Sequence, residues 1–449
     1  MKIKFILPAL QEAKTPFWRP IKYSLFPPLG LATLAAFCSE EDEVIIVDEH
    51  IEELTYDDMP DLVCIQTYIT NALHAYEIGD SYRKRGVYVA MGGLHATTLP
   101  IEAKAHADTV LLGIGETSFP LFLKELREGK PRQFYQTGTV CLDNLPLPRR
   151  DLLKRSHYLV PNSMVFSRGC PNQCSFCYVN SFFEKGQSFY TCKIDRILKE
   201  LDTLPGKHLY FLDDNLFADK KLCHELFREM KSMNRVFQGA ITVNSVLEGD
   251  LIEEAYEAGF RSAFIGFESM NRENLIKARK QTNINQSYQT AVKRLDELGI
   301  MINGSFIFGM EEDDKDTFLR TVSWAIESGI TTATFHILTP YPGTSLFHQM
   351  KEENRIQSFD WNAYDTRHLV FQHKNLSKEE MEKGYQTAYR EFYKWSNIGK
   401  ASKNHEKVRM SIKHFTYAGA WKKFEPVWNF IVKQKLFPPA RRILEKTLR

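Results

Sequence analysis

The sequence lacks three features that would narrow its class at once. It has no run of roughly 18 apolar residues, so no transmembrane span is predicted, and the apolar run after Met1 is too short for a signal peptide. Five of its eight cysteines stand singly in apolar segments, which is typical of a reducing compartment and not of a disulfide scaffold. The net charge is only +2, which gives no case for nucleic-acid binding. We therefore expect a cytoplasmic protein without a nucleic-acid partner.

The chain is an ordinary globular sequence in its composition. Hydrophobic residues make up 43% of it and charged residues 25%, and no internal repeat or low-complexity segment stands out. Its 449 residues are enough for two or three domains.

Residues 1–130 alternate short apolar runs with helical patterns. Fully apolar strands separated by helices indicate a parallel sheet that is covered on both faces. We predict an α/β domain of the doubly wound, Rossmann-like kind, with its ligand crevice at the carboxyl ends of the strands. The predicted strands are 3–7, 44–47, 62–66, 87–91 and 110–112, and the predicted helices are roughly 29–40, 71–85, 100–106 and 117–128.

Glycines and small polar residues follow four of these strands. Glycine lets backbone N–H groups approach a ligand closely, and a helix N-terminus that follows favours phosphate. The alternative is that these are ordinary strand–helix turns. Several such loops on one sheet edge favour a binding site. The candidates are Pro28, Leu29 and Gly30; Tyr68, Thr70 and Asn71; Gly92, Gly93 and His95; and Gly113, Gly115 and Glu116.

The strand–helix alternation resumes after a proline-rich and charged stretch at 131–160, which we interpret as a linker. Six βα units are predicted over 161–345, fewer than the eight of a closed barrel. Their strands are 163–167, 208–212, 239–243, 262–267, 302–308 and 333–338, with helices at roughly 193–203, 219–232, 249–258, 286–298 and 315–328.

Residues 346–449 lose the strand pattern and are predicted to be mainly helical. Ser377 and Glu380 form a capping box that begins a helix to about residue 395, and further helices are expected near 405–420 and 426–447. Helix packing is the favoured interpretation of Trp421 and Trp428. The basic closing run 433–449 could contact an acidic partner or a membrane surface, but a solvated helix face is the simpler interpretation.

Three cysteines within eight residues follow the first strand of this second region. Cys170, Cys174 and Cys177 have the spacing C-x3-C-x2-C, on a loop that Gly169 and Pro171 interrupt. Three thiolates on one loop can hold three corners of a 4Fe–4S cluster and leave the fourth iron open. The alternative is structural zinc, which usually takes C-x2-C pairs and four ligands. Apart from the lone Cys192, the sequence offers no nearby fourth cysteine.

The cysteine loop, with the aromatic Phe176 before its last cysteine, resembles the signature of the radical SAM enzymes. The segments PPLGLA, GGLHAT and G-x-GE resemble the N-terminal domain of the cobalamin-binding subclass, and the match covers most of residues 1–130. The resemblance implies a partial (β/α)6 barrel at 161–345, a cobalamin site on the loops listed above, and S-adenosylmethionine (SAM) on the open iron.

The resemblance also implies SAM contacts at Phe176 and at the strand ends of the barrel. Asp213 and Asp214 stand where many members carry a glycine-glycine-glutamate, so their role follows only from position. Glu268 and Ser269 resemble the motif that faces the SAM carboxylate and ribose, whereas Gly309 and Pro340 belong to segments on the adenine side. Each acid could instead be a helix cap. We prefer that interpretation for Asp219 and Asp313, but not for Glu268.

The function implied is an enzyme that cleaves SAM to a 5′-deoxyadenosyl radical and transfers a methyl group from cobalamin to an unactivated carbon. Cyclisation or rearrangement without net methylation is the alternative within this class, and a non-catalytic cobalamin or iron–sulfur sensor is the alternative outside it. A methylthiotransferase is disfavoured, because the N-terminal domain lacks the further cluster cysteines. An external one-electron reductant of flavodoxin or ferredoxin type is expected.

The substrate is expected to be a small molecule or a lipid, because the similar subclass includes hopanoid methylases and porphyrin-ring cyclases. The segment DWNAYDTRHLVF, residues 360–371, resembles one that lies beside the substrate cavity in that subclass. We also expect no histidine ligand on cobalt. The loop at 8–27 contains no histidine, and His50, after the second strand, is expected at the surface or rim.

Overall fold

The computed structural model describes residues 1–10, 25–136, 141–183, 189–423, 430–431, 434 and 437–448, with the backbone alone for 421–423. Most of the first loop, at 11–24, and Trp428 therefore lie outside the described residues, as does the side chain of Trp421. Within this part of the chain there are two parallel six-stranded sheets, one after the other.

The N-terminal sheet has the strand order β2-β1-β3-β4-β5-β6, with every neighbouring pair parallel. The order reverses between β1 and β3, which is the switch point where α/β sheets place their ligands. The sheet ends at Gln136, six residues beyond the predicted boundary, because the short β6 falls within the predicted linker. Its elements are β1 (Lys2–Leu7), α1 (Leu29–Ala35), β2 (Glu43–Asp48), β3 (Leu62–Gln66), α2 (Ala72–Arg83), β4 (Tyr88–Gly92), α3 (Leu94–Thr98), α4 (Pro100–Ala105), β5 (Thr109–Leu112), α5 (Gly115–Arg127) and β6 (Phe134–Gln136).

Separate apolar clusters cover the two faces of this sheet. Ile3 and Phe5 of β1 pack with Phe119 and Phe122 of α5 on one face, and Ile6 packs with residues of β3, α2 and β4 on the other. This confirms the doubly wound fold predicted from the continuous apolar strands.

The second sheet contains all six predicted barrel strands, in the order β14-β13-β12-β11-β10-β7. Its first strand has only two residues, since the chain then leaves the sheet and forms the antiparallel hairpin β8–β9 that precedes and follows the cysteine loop. The elements are β7 (Ser163–Met164), β8 (Ser167–Gly169), α6 (Val179–Phe182), β9 (Phe189–Thr191), α7 (Ile194–Thr203), β10 (His208–Phe211), α8 (Lys220–Met230), β11 (Val236–Ile241), α9 (Val243–Leu247), α10 (Leu251–Ala258), β12 (Phe260–Glu268), α11 (Arg272–Lys277), α12 (Tyr288–Leu298), β13 (Met301–Phe308), α13 (Thr317–Glu327), β14 (Thr332–Ile337) and α14 (Ser345–Glu352).

The C-terminal region is helical and covers the open edge and the lower end of this barrel. Ser377 and Glu380 form the predicted capping box. The hydroxyl of Tyr389 forms hydrogen bonds with the backbone of Phe335, and that of Tyr393 with the backbone of Ala333. The helix that carries both tyrosines therefore pairs backbone groups on the outer side of the edge strand β14. Among the described helices, none is long and apolar enough to cross a membrane. The helices are α15 (Lys378–Phe392), α16 (Trp395–Ser402), α17 (Val408–Lys423) and α18 (Phe437–Leu448).

Candidate functional site

The cysteine loop leaves β8 at Gly169, whose φ of +82° favours glycine. Its middle is held on both sides by backbone hydrogen bonds. The N–H of Ser175 donates to the carbonyl of Ala278 at 2.9 Å, and the N–H of Leu346 donates to the carbonyl of Ser175 at 3.0 Å. The loop therefore lies between the segments that follow β12 and β14, at the carboxyl end of the barrel.

The spread of the three thiols fits a cluster better than a single metal ion. Among the described residues, the only three His, Cys, Asp or Glu ligand atoms within 4.8 Å of one another belong to His224, Asp250 and Glu254. A zinc ion with bonds of about 2.3 Å needs closer sulfurs than this. Three partly buried thiols with a wider spread are suited to separate irons of one 4Fe–4S cluster.

A half-buried lysine, Lys280, which no motif in the sequence indicates, lies beside these thiols. Burial raises the pKa of Cys174, and that of Cys177 to about 12, while the nearby Lys280 ammonium lowers both. Burial lowers the pKa of Lys280 itself, but Glu268 and Cys174 raise it by more, so its net pKa lies above the ordinary value. The only feature of the sequence that could have indicated Lys280 is its position twelve residues after the strand-end glutamate Glu268.

Glu268 accepts a 2.7 Å hydrogen bond from Lys280 and is buried at the end of β12. Its φ is +63°, and the pairing of β12 with β13 shifts register at this point. The glutamate folds back over Gly266, where a Cβ atom would lie 2.2 Å from its Oε1. A non-glycine residue in the left-handed region at a strand end is a strained conformation typical of functional sites.

The two aspartates after β10 have different surroundings. Asp213 is buried and accepts hydrogen bonds from the backbone N–H groups of Phe166 and Ser167, so it fixes the strand that leads into the cysteine loop. Burial raises the pKa of Asp213 to about 6. Asp214 instead faces a cavity, and its charge raises the pKa of Cys177, which places it close to the loop.

The other predicted SAM residues also have structural contacts. The hydroxyl of Ser269 accepts hydrogen bonds from the backbone of Asn271 and the side chain of Asn274. Gly309 has a φ of +92°, Phe176 is half-buried against the barrel core, and Pro340 is buried. All remain at the carboxyl ends of the strands, and their contact with SAM stays a prediction.

Asp219 and Asp313 were both predicted to cap helices, and one of the two predictions is wrong. Asp219 caps α8 by accepting from the N–H of Leu222. Asp313 is buried and accepts from the N–H groups of Gly309 and Met310, so it holds the turn after β13. Its burial raises its pKa to about 7.

A cavity of about 490 Å³ lies between the N-terminal sheet and the barrel, and we call it the interdomain cavity. It opens at the switch point between β1 and β3, which is where the strand order predicts a ligand. Across it, Arg168 of β8 donates to Glu116 of α5 at 2.8 Å and 3.1 Å. Its predicted lining residues are Pro28, Leu29, Gly30, Tyr68, Gly92, Gly93, Gly113, Gly115, Glu116 and Asp214.

Glycine backbone forms part of the wall of the interdomain cavity, and we call this part the glycine floor. Gly93 has a φ of +105°, and a Cβ atom there would lie 2.7 Å from the carbonyl oxygen of Thr67. Gly113 also has a positive φ, of +70°. Gly92, Gly93, Gly113 and Gly115 line the cavity along one sheet edge, and their lack of side chains leaves space for a large planar group such as a corrin ring.

Three predicted cobalamin residues are not in this lining. Asn71 is buried and donates to the carbonyl of Pro8 at 2.9 Å. His95 is buried beside Glu102, at 3.2 Å, and Trp361. Thr70 lies in the short turn before α2. The side chains of Asn71 and His95 support the loops, and the cobalamin contact of all three residues stays a prediction.

His50 is buried and not at the surface or rim as expected. Its Nδ1 lies 2.7 Å from Asp48, and its Nε2 accepts the N–H of Leu10 at 3.2 Å. Asp48 in turn accepts the hydroxyl of Tyr158 at 2.8 Å. Because both ring nitrogens are engaged, the structure supports the expectation that His50 does not bind cobalt.

A second cavity of about 580 Å³ lies inside the barrel, and we call it the barrel cavity. Its walls come from the inward-facing residues of β10 to β14 and from the C-terminal helices. Phe26 lines both cavities, and its ring centroid lies 4.7 Å from that of Tyr210. The lining residues include Phe26, Tyr210, Gln238, Phe264, Asn303, Phe335, His336, Thr366, Arg367, Tyr385, Tyr389, Tyr393 and Tyr417.

Two family models match the regions that form these cavities. The radical SAM superfamily model matches residues 164–342, and the B12 binding domain model matches residues 23–123. The two models therefore cover the cysteine loop with the barrel and the glycine-rich sheet edge, respectively.

Curated relatives and solved structures match both regions together. Bacteriochlorophyllide d C-12(1)-methyltransferase of Chlorobaculum tepidum is 31% identical over 83% of this chain and 84% of its own. The hopanoid C-2 methylase of Rhodopseudomonas palustris is 25% identical over 74% of this chain and 66% of its own. The structure of OxsB, a cobalamin-dependent S-adenosylmethionine radical enzyme, matches with a TM-score of 0.70 at 14% identity, over 95% of this chain and 72% of that one.

Proposed function

This chain belongs to the cobalamin-dependent radical SAM methyltransferases, and on that premise we propose that it methylates a carbon of a large, mainly apolar ring compound held in the barrel cavity. The enzyme class and its cofactors, a 4Fe–4S cluster, SAM and cobalamin, follow from the family. The substrate class is our proposal.

The observation that carries the proposal is the meeting of the two cavities at Phe26. A carbon that receives a methyl group from cobalamin must lie beside the corrin site. The barrel cavity is the large space that adjoins the interdomain cavity, and the cysteine loop lies at the carboxyl end of the same barrel. A substrate there would be within reach of both cofactors.

The chemistry of the cavity wall supports a ring compound. The rings of Tyr385, Tyr389, Phe335 and Phe264 line it, and aromatic surfaces favour contact with flat or fused-ring ligands. Gln238, Asn303 and Arg367 supply a few polar groups, which is the usual pattern of a site that orients an apolar ligand. The relatives named above act on bacteriochlorophyllide d and on a hopanoid, both of which are large ring systems.

Different groups of residues bind the three cofactors in this proposal. We assign Cys170, Cys174 and Cys177 to the cluster, the Glu268–Lys280 pair and its neighbours to SAM, and the glycine floor to cobalamin. When bound, these cofactors supply the radical and the methyl group, and the protein orients them and excludes side reactions. The Arg168–Glu116 pair joins the SAM side to the cobalamin side.

The test is turnover of the anaerobically reconstituted protein with bacteriochlorophyllide d and with a hopanoid as separate candidates. We expect 5′-deoxyadenosine together with a product that has gained one methyl group. Tyr385→Ala should raise the KM about tenfold or more, because an aromatic contact with the substrate is lost. Tyr385→Phe, which keeps the ring, should leave the KM unchanged. Tyr256→Ala, at a residue outside the lining of the barrel cavity, should also leave it unchanged. A ring-closed product without a methyl gain would favour the cyclase alternative.

We further propose a one-electron reductant of flavodoxin or ferredoxin type and a cytoplasmic location. The described part of the chain contains no disulfide bond, and five of the eight cysteines stand singly in apolar segments, which is typical of a reducing compartment. Turnover that starts on addition of reduced flavodoxin, without a chemical reductant, would support the first proposal. Fractionation of cells that express the tagged protein would test the second.

A further inference from the structure

The charge of the chain is divided very unevenly along its length. Residues 394–449 contain fourteen lysines and arginines and three acidic residues, a net charge of +11. The first 393 residues carry a net charge of −9, so the small overall charge hides a strongly basic C-terminal region. Such an asymmetry favours an anionic partner for that region.

Helix α17 in this region has three large apolar residues on its exposed face. Val408, Ile412 and Phe415 follow a spacing of four and three, which places them on one face of the helix. Trp395 of α16 extends this face, since its ring centroid lies 5.7 Å from that of Phe415. These four side chains, which we call the outer stripe, are between 42% and 75% exposed.

The opposite face of the same helix packs on the barrel. Tyr417 lines the barrel cavity, and Met410 is buried against Val236 and Met301, the first residues of β11 and β13. The helix is therefore fixed in place by one face while it presents a second apolar face to the surroundings. Core packing does not explain the outer stripe.

Exposed lysines lie on α16, the helix that carries Trp395 of the outer stripe, and at its two ends. Lys394, Lys400 and Lys403 of the adjoining helix and its ends are all exposed. Lys394 and Lys400 pair with Glu391 and Glu327 at the surface, at 2.8 Å and 3.7 Å, and such exposed pairs contribute little. Large apolar side chains bordered by lysines are the pattern of a helix that lies in the plane of a membrane surface.

The position of the stripe argues against a docking site for the reductant. Met410 meets the starts of the barrel strands, whereas the cysteine loop lies at their carboxyl ends. The eight residues of β13 alone separate these ends by roughly 25 Å. An electron donor bound at the outer stripe would be far from the cluster.

We propose that the outer stripe and its lysines dock this enzyme on an anionic phospholipid membrane. The apolar side chains would enter the headgroup region and the lysines would contact the lipid phosphates. Docking would also place the lower end of the barrel, with Tyr417 on its cavity wall, next to the layer in which apolar ring compounds dissolve. This surface does not depend on the proposed substrate.

The experiment is co-sedimentation of the full-length protein with vesicles of phosphatidylcholine alone and of phosphatidylcholine mixed with phosphatidylglycerol. Binding should require phosphatidylglycerol and fall with added salt. Each lysine at an anionic surface adds about fivefold to the partition coefficient, so the triple change Lys394→Gln, Lys400→Gln and Lys403→Gln should lower it on the order of 100-fold. The double change Ile412→Ser and Phe415→Ser should also lower it strongly.

Matched controls come from exposed residues elsewhere. Lys199, Lys221 and Lys351 changed to Gln, and Ile101 and Leu319 changed to Ser, should leave vesicle binding unchanged. All variants should form 5′-deoxyadenosine normally with a chemical reductant, which shows that they fold. Equal vesicle binding by the stripe variants and the controls would overturn the proposal. An absence of vesicle binding by the unchanged protein would also overturn it. This includes the case in which the stripe variants lose only self-association or flavodoxin-driven turnover, which would indicate a protein partner in place of a membrane.

Discussion

The two cavities are built from different materials. Five glycines line the interdomain cavity, among them Gly92, Gly93 and Gly113 at the ends of β4 and β5, whereas no glycine lines the barrel cavity. The barrel cavity is lined by large side chains from the middle of five strands and from helices far along the chain. If cobalamin and the substrate bind as we propose, the difference teaches that backbone shape can hold a cofactor while large side chains contact the substrate.

The largest expected effect is on the cysteine loop, at the carboxyl end of the barrel. Cys174→Ala should abolish the cluster, because two thiolates on this loop cannot replace three. Iron and sulfide analysis and the visible absorbance of the reconstituted protein measure this. Cys141→Ala, at an exposed cysteine away from the loop, is the control and should keep the full cluster. An unchanged iron content in the Cys174 variant would show that the loop is not the cluster site.

Gly93→Ala should damage the interdomain cavity alone. The new Cβ atom would lie 2.7 Å from the carbonyl oxygen of Thr67, so the floor must shift. We expect cobalamin affinity, measured by titration of its absorbance, to fall at least about tenfold, while SAM binding persists. Gly129→Ala also places a side chain at a positive φ, of +72°, but has no atom within 4 Å, so it is the control. Equal cobalamin affinity in the two variants would show that the glycine floor does not bind cobalamin.

Glu268→Gln should weaken SAM binding severalfold and leave cluster absorbance and cobalamin affinity intact. The change removes the charge that Lys280 faces, at the strand end beside the cysteine loop. Gly266→Ala is expected to act in the same direction, because its Cβ atom would displace the Glu268 carboxylate. Equilibrium binding of SAM is the measurement, and equal affinity in both variants would count against the assignment.

Phe26→Ala should join the two cavities without destroying either. The loss of the ring between them would let water and substrate move across the boundary. We expect a few-fold more 5′-deoxyadenosine per methylated product, with cobalamin still bound. The ratio of the two products by chromatography is the measurement. An unchanged ratio would mean that Phe26 does not separate the two cavities.

The smallest expected effect is that of His50→Ala on cobalt. Both ring nitrogens of His50 are engaged within the protein, so the paramagnetic resonance spectrum of the cobalt(II) form should be five-coordinate, base-off and the same in the variant. The variant is expected to be less stable by about 1–3 kcal/mol, because Asp48 loses a buried partner. A nitrogen splitting that disappears with the substitution would falsify this expectation.

The sequence predicts the framework of this protein better than its side-chain contacts. All six barrel strands and five of the six N-terminal strands are visible as apolar runs, because buried parallel strands leave that pattern. β6 was missed, since its three residues give no period. Lys280 and the barrel cavity were missed because they depend on residues that meet only in the fold. His50 and Asp313 resemble surface residues in sequence and are buried by partners far along the chain.

The two tyrosine hydroxyls on α15 have a consequence for how this barrel can change over evolution. Tyr389 and Tyr393 satisfy the outer backbone groups of β14, and their rings are also part of the cavity wall. Moving the helix outward to admit a larger substrate would therefore leave unsatisfied groups on the strand. Lineages that acquire new substrates should keep this helix where it is and replace residues between its anchors, such as Tyr385, so diversification would proceed one side chain at a time.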